Sequence, residues 1–351
     1  MGRLAIVAYN TRRAIKYGSI GIVALLIFLK VFSLFRAYWR KVHPPPPPPP
    51  TVLFGKLPKL RFNSTNQEKT NFNYRLENVS GALPKLDTIT KVFVMPKSYP
   101  NLLAWDKTKT WARGLGFTTE PEKISDFELK FVTSNFPQTT LQVNVLTRNF
   151  KMDYDWQNDR EILTAGSPPP ESQAISMAKN FLQSIGVLNE DLTLGKGKVE
   201  YLKYKDGGLV TIPFASEANF VRVHLFRQDI NNLPLLPRNP TQANVKVTLS
   251  SSEDTTKEII GVDFVYFPVY KENFATYPLK DVNTAWNQLK NGGGYIANLG
   301  NNSGPDIVIR NVYLAYFEDS EQQDFLQPIF VFEGDNEFFA YVPAVSDEWF
   351  Q

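Results

Sequence analysis

Residues 167–186 read SPPPESQAISMAKNFLQSIG, a stretch that holds one complete helix with both ends marked. Ser167 and the prolines Pro168, Pro169 and Pro170 fall where the first-turn amides of a helix need no partner. Ala174, Ala178, Phe181, Leu182 and Ile185 then recur on one helical face, and Gly186 supplies the stop. Short runs of β-branched and aromatic residues follow at 198–204, 209–214, 220–227, 245–250 and 259–269. The polar loop Ser251-Ser252-Glu253-Asp254 separates the last two, as in a hairpin. A helix followed by several antiparallel strands defines an α+β fold, with the apolar helix face laid on a sheet.

The same plan recurs on both sides of this stretch. Downstream it begins at Tyr277-Pro278. There Val282, Ala285, Trp286 and Leu289 share a face, Gly292-Gly293-Gly294 ends the helix, and strands are predicted at 307–317, 325–333 and 338–343. Gly334-Asp335-Asn336 is a tight turn between the last two, and Pro328 is expected at a strand start or an edge. Upstream, a helix near 101–115 carries Ala104, Trp111, Ala112 and Leu115. Strands at 127–132 and 141–148 follow it, joined through Asn135-Phe136-Pro137.

The pattern Ser172-Gln173-Ala174-Ile175, Ala178, Phe181-Leu182 and Gly186, followed by a strand hairpin, resembles the bacterial PepSY-type module. The C-terminal pattern, with Val312-Tyr313-Leu314-Ala315-Tyr316 and Gln327-Pro328-Ile329-Phe330-Val331-Phe332, is similar to the membrane-anchored YycH and YycI regulators. The resemblance covers residues 165–345. It implies a single-pass protein whose extracytoplasmic domain inhibits or regulates an envelope enzyme or sensor kinase. It brings no catalytic residues.

Residues 17–39, YGSIGIVALLIFLKVFSLFRAYW, contain a single charge, Lys30, before Arg36. As a helix, positions 17–35 span about 28 Å, the thickness of a bilayer's hydrocarbon core. Lys30 can carry its ammonium out along its stem, and Tyr17, Tyr38 and Trp39 suit the aromatic belts of a spanning helix. Residues 1–16 are then a short cytoplasmic tail, and the uncleaved helix is a signal anchor with the C-terminal domain outside. The seven prolines Pro44–Pro50 are expected to form a polyproline II stalk roughly 22 Å long. The remainder divides into a proline-rich stalk and irregular lead-in over 40–85, then α+β units at 86–165, 166–272 and 273–351.

Composition removes several chemistries. Residues 1–43 hold eight basic side chains and no acid, so the rest carries 30 basic against 35 acidic residues, which argues against a nucleic-acid footprint. The basic flanks suit anionic lipid. No cysteine is present, which excludes disulfides and thiolate chemistry. His43 abuts the proline run, and His224 is expected on the polar, solvent-facing side of its strand with Arg222. Gly195-Lys196-Gly197-Lys198 lacks the spacing of a phosphate loop and reads as a turn. Asp153, Asp155, Asp159 and Glu161 form an acidic cluster whose plain reading is solvation.

Ser176-Met177-Ala178-Lys179 matches the Ser-x-x-Lys of penicillin-binding proteins. Both polar residues point away from the apolar face, no Lys-Thr-Gly strand follows, and Ser64-Thr65-Asn66 lies in the wrong order. Trp105, Trp111, Trp156, Trp286 and Trp349 could present a glycan-binding platform, although Trp286 lies on the apolar helix face. The sequence therefore predicts no catalytic, cofactor-binding or metal site, no cofactor and no nucleic-acid partner. It predicts a bilayer contact through residues 17–39 and a non-catalytic role in binding and regulating another envelope membrane protein. A cell-wall or glycan-binding module is the alternative, and a serine hydrolase of the penicillin-binding type comes third.

Overall fold

A computed structural model describes residues 2–42, 48–62, 72–164 and 166–351. His43, Pro44–Pro47 of the proline run and the Ser64-Thr65-Asn66 motif lie outside the described residues. Pro48–Pro50 have no regular structure. The chain separates into two units, residues 1–49 and 50–351.

The first unit is helix α1 (Gly2–Val42). Within it Tyr9–Arg40 is long and apolar enough to cross a membrane, and none of that stretch is buried. The expected span at 17–39 lies inside it, and the expected tail continues the same helix.

The second unit is α+β. Strands β1 (Asn73–Leu76) and β2 (Ile89–Val94) precede helix α2 (Ala104–Gly114). Four strands follow, β3 (Glu122–Ser125), β4 (Glu128–Val132), β5 (Thr139–Asn144) and β6 (Phe150–Tyr154), and then helices α3 (Arg160–Thr164), α4 (Glu171–Ser184) and α5 (Glu190–Thr193). Next come β7 (Gly197–Lys205), β8 (Gly208–Ile212), β9 (Phe220–Leu225), β10 (Leu235–Leu236), β11 (Val245–Ser250), β12 (Ile259–Phe264) and β13 (Tyr270–Pro278). Helix α6 (Val282–Lys290) and strands β14 (Tyr295–Asn298), β15 (Asp306–Phe317), β16 (Phe325–Gly334) and β17 (Phe339–Pro343) complete it.

Among the described residues these strands form two sheets. One is nine-stranded, in the order β3-β4-β5-β6-β12-β11-β9-β7-β8, with every neighbour antiparallel. The other is built on β1-β15-β16-β17-β14, with β10 beside β15 and the β2–β13 pair joined to the start of β16.

Helices α2 and α4 cover one face of the nine-stranded sheet. Ala174, Ala178 and Leu182 of α4 are fully buried, with Phe181 and Ile185 packed beside them, so the expected face is the buried one. Gly186 ends α4 at φ +73, a conformation that L side chains avoid. The Trp111 indole of α2 donates to the Ile185 carbonyl at 2.9 Å and ties the two helices together. Helix α6 covers the second sheet through Val282, Ala285 and Leu289. Its N-cap is Asp281, whose carboxylate accepts from the Asn283 amide at 2.8 Å.

Several expectations take a different form. The division at 165–166 falls inside one sheet, because β6 pairs with β12 from Gly261↔Asp153 to Phe264↔Phe150. The run at 259–269 is broken: β12 ends at Phe264, residues 265–269 cross between the sheets, and Tyr277-Pro278 closes β13 instead of starting a helix. The lead-in is not irregular throughout. Leu57 is fully buried and bridges to Phe350, and Phe54 stacks on Phe325 with ring centroids 5.1 Å apart, since these apolar pieces complete the second core.

Pro328 is neither a first residue nor on an edge strand. It stands fourth in β16, which lies between β15 and β17. Its missing N–H does no harm, because β17 has ended there. The Ala344 carbonyl that it would have met accepts instead from the Lys280 amide at 2.9 Å.

Candidate functional site

The face of the nine-stranded sheet opposite α2 and α4 carries His224 and Arg222, which the sequence singles out, among other polar residues. Alternation along β7, β9 and β11 places Glu200, Arg222, His224, Lys246 and Thr248 there. Glu200 lies 3.3 Å from Arg222 Nη1 and 3.4 Å from His224 Nε2, and it also accepts from the Thr211 hydroxyl. The hydrogen bond from His224, helped by Thr211 and the Arg222 charge, outweighs burial and pulls the Glu200 carboxyl down to about 2.

His224 does share the polar face with Arg222, but it is not exposed: only 2% of it reaches solvent. Its strand is interior, between β11 and β7, and the Ala243 amide donates to Nδ1 at 3.2 Å. That bond fixes the tautomer, with the proton on Nε2 directed at Glu200. Both ring nitrogens are therefore engaged, and neither is offered to a substrate.

The other candidates are similarly occupied. Ser176 donates to the Ser172 carbonyl at 2.9 Å, whereas Lys179 turns away and donates to the carbonyls of Thr193 and Gly195, at 2.8 and 3.4 Å. The Ser-x-x-Lys pair is thus split, because Lys179 satisfies the last carbonyl of α5, at Thr193, and that of Gly195 beyond it. In the acidic cluster, Asp159 is buried. It accepts from Tyr154 at 2.7 Å and lies 2.9 Å from Lys257, which also reaches Glu161 at 2.7 Å. Burial raises the Asp159 carboxyl, but the hydrogen bonds from Tyr154 and Lys257 outweigh it and hold the group below the usual carboxylate range. The ammonium of Lys257 occupies the place a cation would take.

The expected turn at Gly195-Lys196-Gly197-Lys198 is a bend at Gly195 only, because Gly197 and Lys198 already belong to β7. A side chain at Gly195 would run onto the Phe226 carbonyl and come within 2.8 Å of the Asp191 carbonyl. Trp105, Trp111, Trp156, Trp286 and Trp349 form no open platform. Trp105 and Trp111 pack on the first core, Trp286 and Trp349 on the second, and Trp156 lies between Tyr204 and Phe220 at 5.5 and 5.3 Å.

One cluster escapes sequence reasoning. Arg227, just past β9, is buried and donates to Asp191 of α5 and to Glu318 after β15, both at 2.6 Å. It donates to the Phe267 carbonyl at 2.9 Å as well, and its guanidinium lies 4.4 Å from the Tyr266 ring centre. Burial raises the Glu318 carboxyl above the usual range against the pull of Arg227. A cavity of about 10 Å³ beside the cluster, lined by Leu192, Leu225, Leu235 and Pro237, has room for one water and not for a substrate. With its donors spent on protein acceptors, the guanidinium clamps the two sheets together. Its partners are 36 and 91 positions away, and an arginine at the end of a strand carries no local sign of such company.

No family model and no curated protein matches the chain. Among solved structures it is similar to an uncharacterized protein from Eubacterium rectale ATCC 33656, whose crystal structure was determined at 1.45 Å. The two share 14% identity at a TM-score of 0.35, over 74% of this chain and 84% of that one. A likeness this loose carries no argument about fold or function.

Proposed function

We propose that this protein is a single-pass, membrane-anchored regulator that acts by binding another envelope protein and performs no chemistry of its own. In this reading α1 is a signal anchor with its N-terminus in the cytoplasm. The proline run is a stalk, and residues 50–351 form an extracytoplasmic domain elaborated from a repeated helix-on-sheet plan. The observation that carries the reading is the pairing of an exposed helix, apolar over Tyr9–Arg40, with a separate compact unit at 50–351. The internal pairing of Lys179, His224, Asp159 and Arg227 supports a binding role over a catalytic one.

The test is in-membrane crosslinking and pull-down of the full-length protein beside a version lacking residues 51–351. A specific membrane-protein partner that is lost with the domain supports the reading. Absence of any partner, with the full chain sedimenting with cell-wall sacculi, sinks it in favour of wall binding.

A further inference from the structure

Strand β8, Gly208-Leu209-Val210-Thr211-Ile212, is one edge of the nine-stranded sheet, and it differs from the other sheet edges. At the opposite edge β3 carries Glu122, Lys123 and a register shift against β4. In the second sheet β1 carries Arg75, and β14 has no exposed residue. The open side of β13 is covered, because the Val52 amide donates to the Thr276 carbonyl and the Thr276 amide to the Thr51 hydroxyl, each at 3.0 Å. Strand β8 contains no charge, no proline and no register shift. Val210 is 39% exposed, and Phe214 just beyond the strand is 63% exposed. Charge, proline or a bulge is what normally keeps a free edge from pairing with another chain.

The register shows which groups are on offer. Asp206 and Gly207, at φ +52 and +86, make the two-residue turn between β7 and β8. In such a hairpin Lys205↔Gly208, Lys203↔Val210 and Tyr201↔Ile212 are the hydrogen-bonded pairs. The Tyr204 amide agrees, since it points away from β8 and donates to Asn219 at 3.0 Å. The N–H and C=O groups of Leu209 and Thr211 therefore face outward, and among the described residues β8 pairs with β7 alone. By alternation Val210 and Ile212 flank the edge on one face. Leu209 flanks it on the other, beside Tyr204 and Trp156.

We propose that β8 is a docking edge that adds an extended, uncharged segment of a partner protein, with apolar side chains at alternate positions, as a tenth strand. The inference rests on the protein-binding reading above and names where and what that reading binds. Charge favours this occupant: Lys203, the cross-strand neighbour of Val210 on the same face, is already paired with Glu217 at 3.7 Å, so an uncharged segment set against Val210 leaves no charge there without its partner. Size separates it from a second copy of the chain. Five paired residues from each copy bury far less than the roughly 1,200 Å² of a stable specific interface, whereas an added peptide draws its affinity from main-chain hydrogen bonds and alternate side-chain contacts.

The test uses the full-length protein in lipid nanodiscs and a displayed library of random dodecapeptides. Enriched peptides should be uncharged with apolar residues at every second position. They should bind Val210→Lys and Leu209→Pro at least tenfold more weakly and slow hydrogen exchange at the Leu209 and Thr211 amides. Leu209→Pro removes one outward N–H and none of the β7–β8 bonds. Should it misfold, Val210→Lys at an exposed position decides alone. Peptides that bind both variants as well as the parent would overturn the β8 assignment while leaving the protein-binding reading standing. A Val210→Lys-sensitive dimer without peptide would overturn it in favour of a second copy, and an unenriched library would overturn it outright.

Discussion

Glu200 and Glu318 show how one residue type takes different roles according to burial. Glu200 is held down to about 2 by His224, Thr211 and Arg222, against an ordinary value of 4.5. A carboxyl lowered on folding contributes stability that is complete above about pH 4.5 and is lost as pH falls towards 2. Glu200→Gln should remove that part of the acid dependence, on the order of 2 kcal/mol at neutral pH, and urea melts at pH 3 and pH 7 would show it. Similar slopes for the parent and the variant would refute the assignment. At Glu318 the sign is reversed. Its carboxyl is raised, so its contribution is complete below the ordinary value and fades as pH rises. Removing Arg227 would strand Asp191 and Glu318 as buried charges. Arg227→Met should therefore cost about 3–5 kcal/mol by chemical denaturation, with much of it recovered when both carboxylates are also replaced by leucine.

At the scale of elements, helices announce themselves and sheet edges do not. Both α4 and α6 are legible because a 3.6-residue apolar period, an N-terminal signal and a terminal glycine coincide within one short stretch. Strand ends depend on where a neighbour stops, which is why Pro328 can occupy an interior strand opposite the end of β17. The bend at Gly195 illustrates another local demand, since two backbone carbonyls fill the place of a side chain. Gly195→Ala should destabilise the domain by about 1–3 kcal/mol through overpacking, with no compensating relaxation from a flexible neighbour. A thermal midpoint equal to that of the parent would show that the β9 end yields after all.

At the scale of the molecule, the nine-stranded sheet with α2 and α4 is inserted between β2 and β13, strands that pair with each other. The chain crosses between the sheets at 95–103, 226–234, 237–244 and 265–269, and Arg227 binds across that junction to Glu318. The N-terminal unit makes a separate prediction. Ile22→Arg with Leu26→Arg places two charges on one face near the middle of α1, at about 2.5–3.5 kcal/mol each on insertion scales. The double variant should leave the membrane fraction on carbonate extraction. Its retention there would argue that α1 does not span.

The sequence by itself determined what depends on neighbours along the chain. This covers the apolar helix within Tyr9–Arg40, the α+β class, the buried faces of α4 and α6 and the absence of cysteine chemistry. Tertiary structure decided what depends on residues far apart. It joined β6 to β12, placed β2 beside β13, buried His224 beneath the Ala243 amide, and gathered Asp191, Arg227 and Glu318. The physical reason is range. Helical and strand periods and caps act over a few residues, whereas strand partners and buried ion clusters are chosen by the packing of the whole core, and nothing in the local pattern records them.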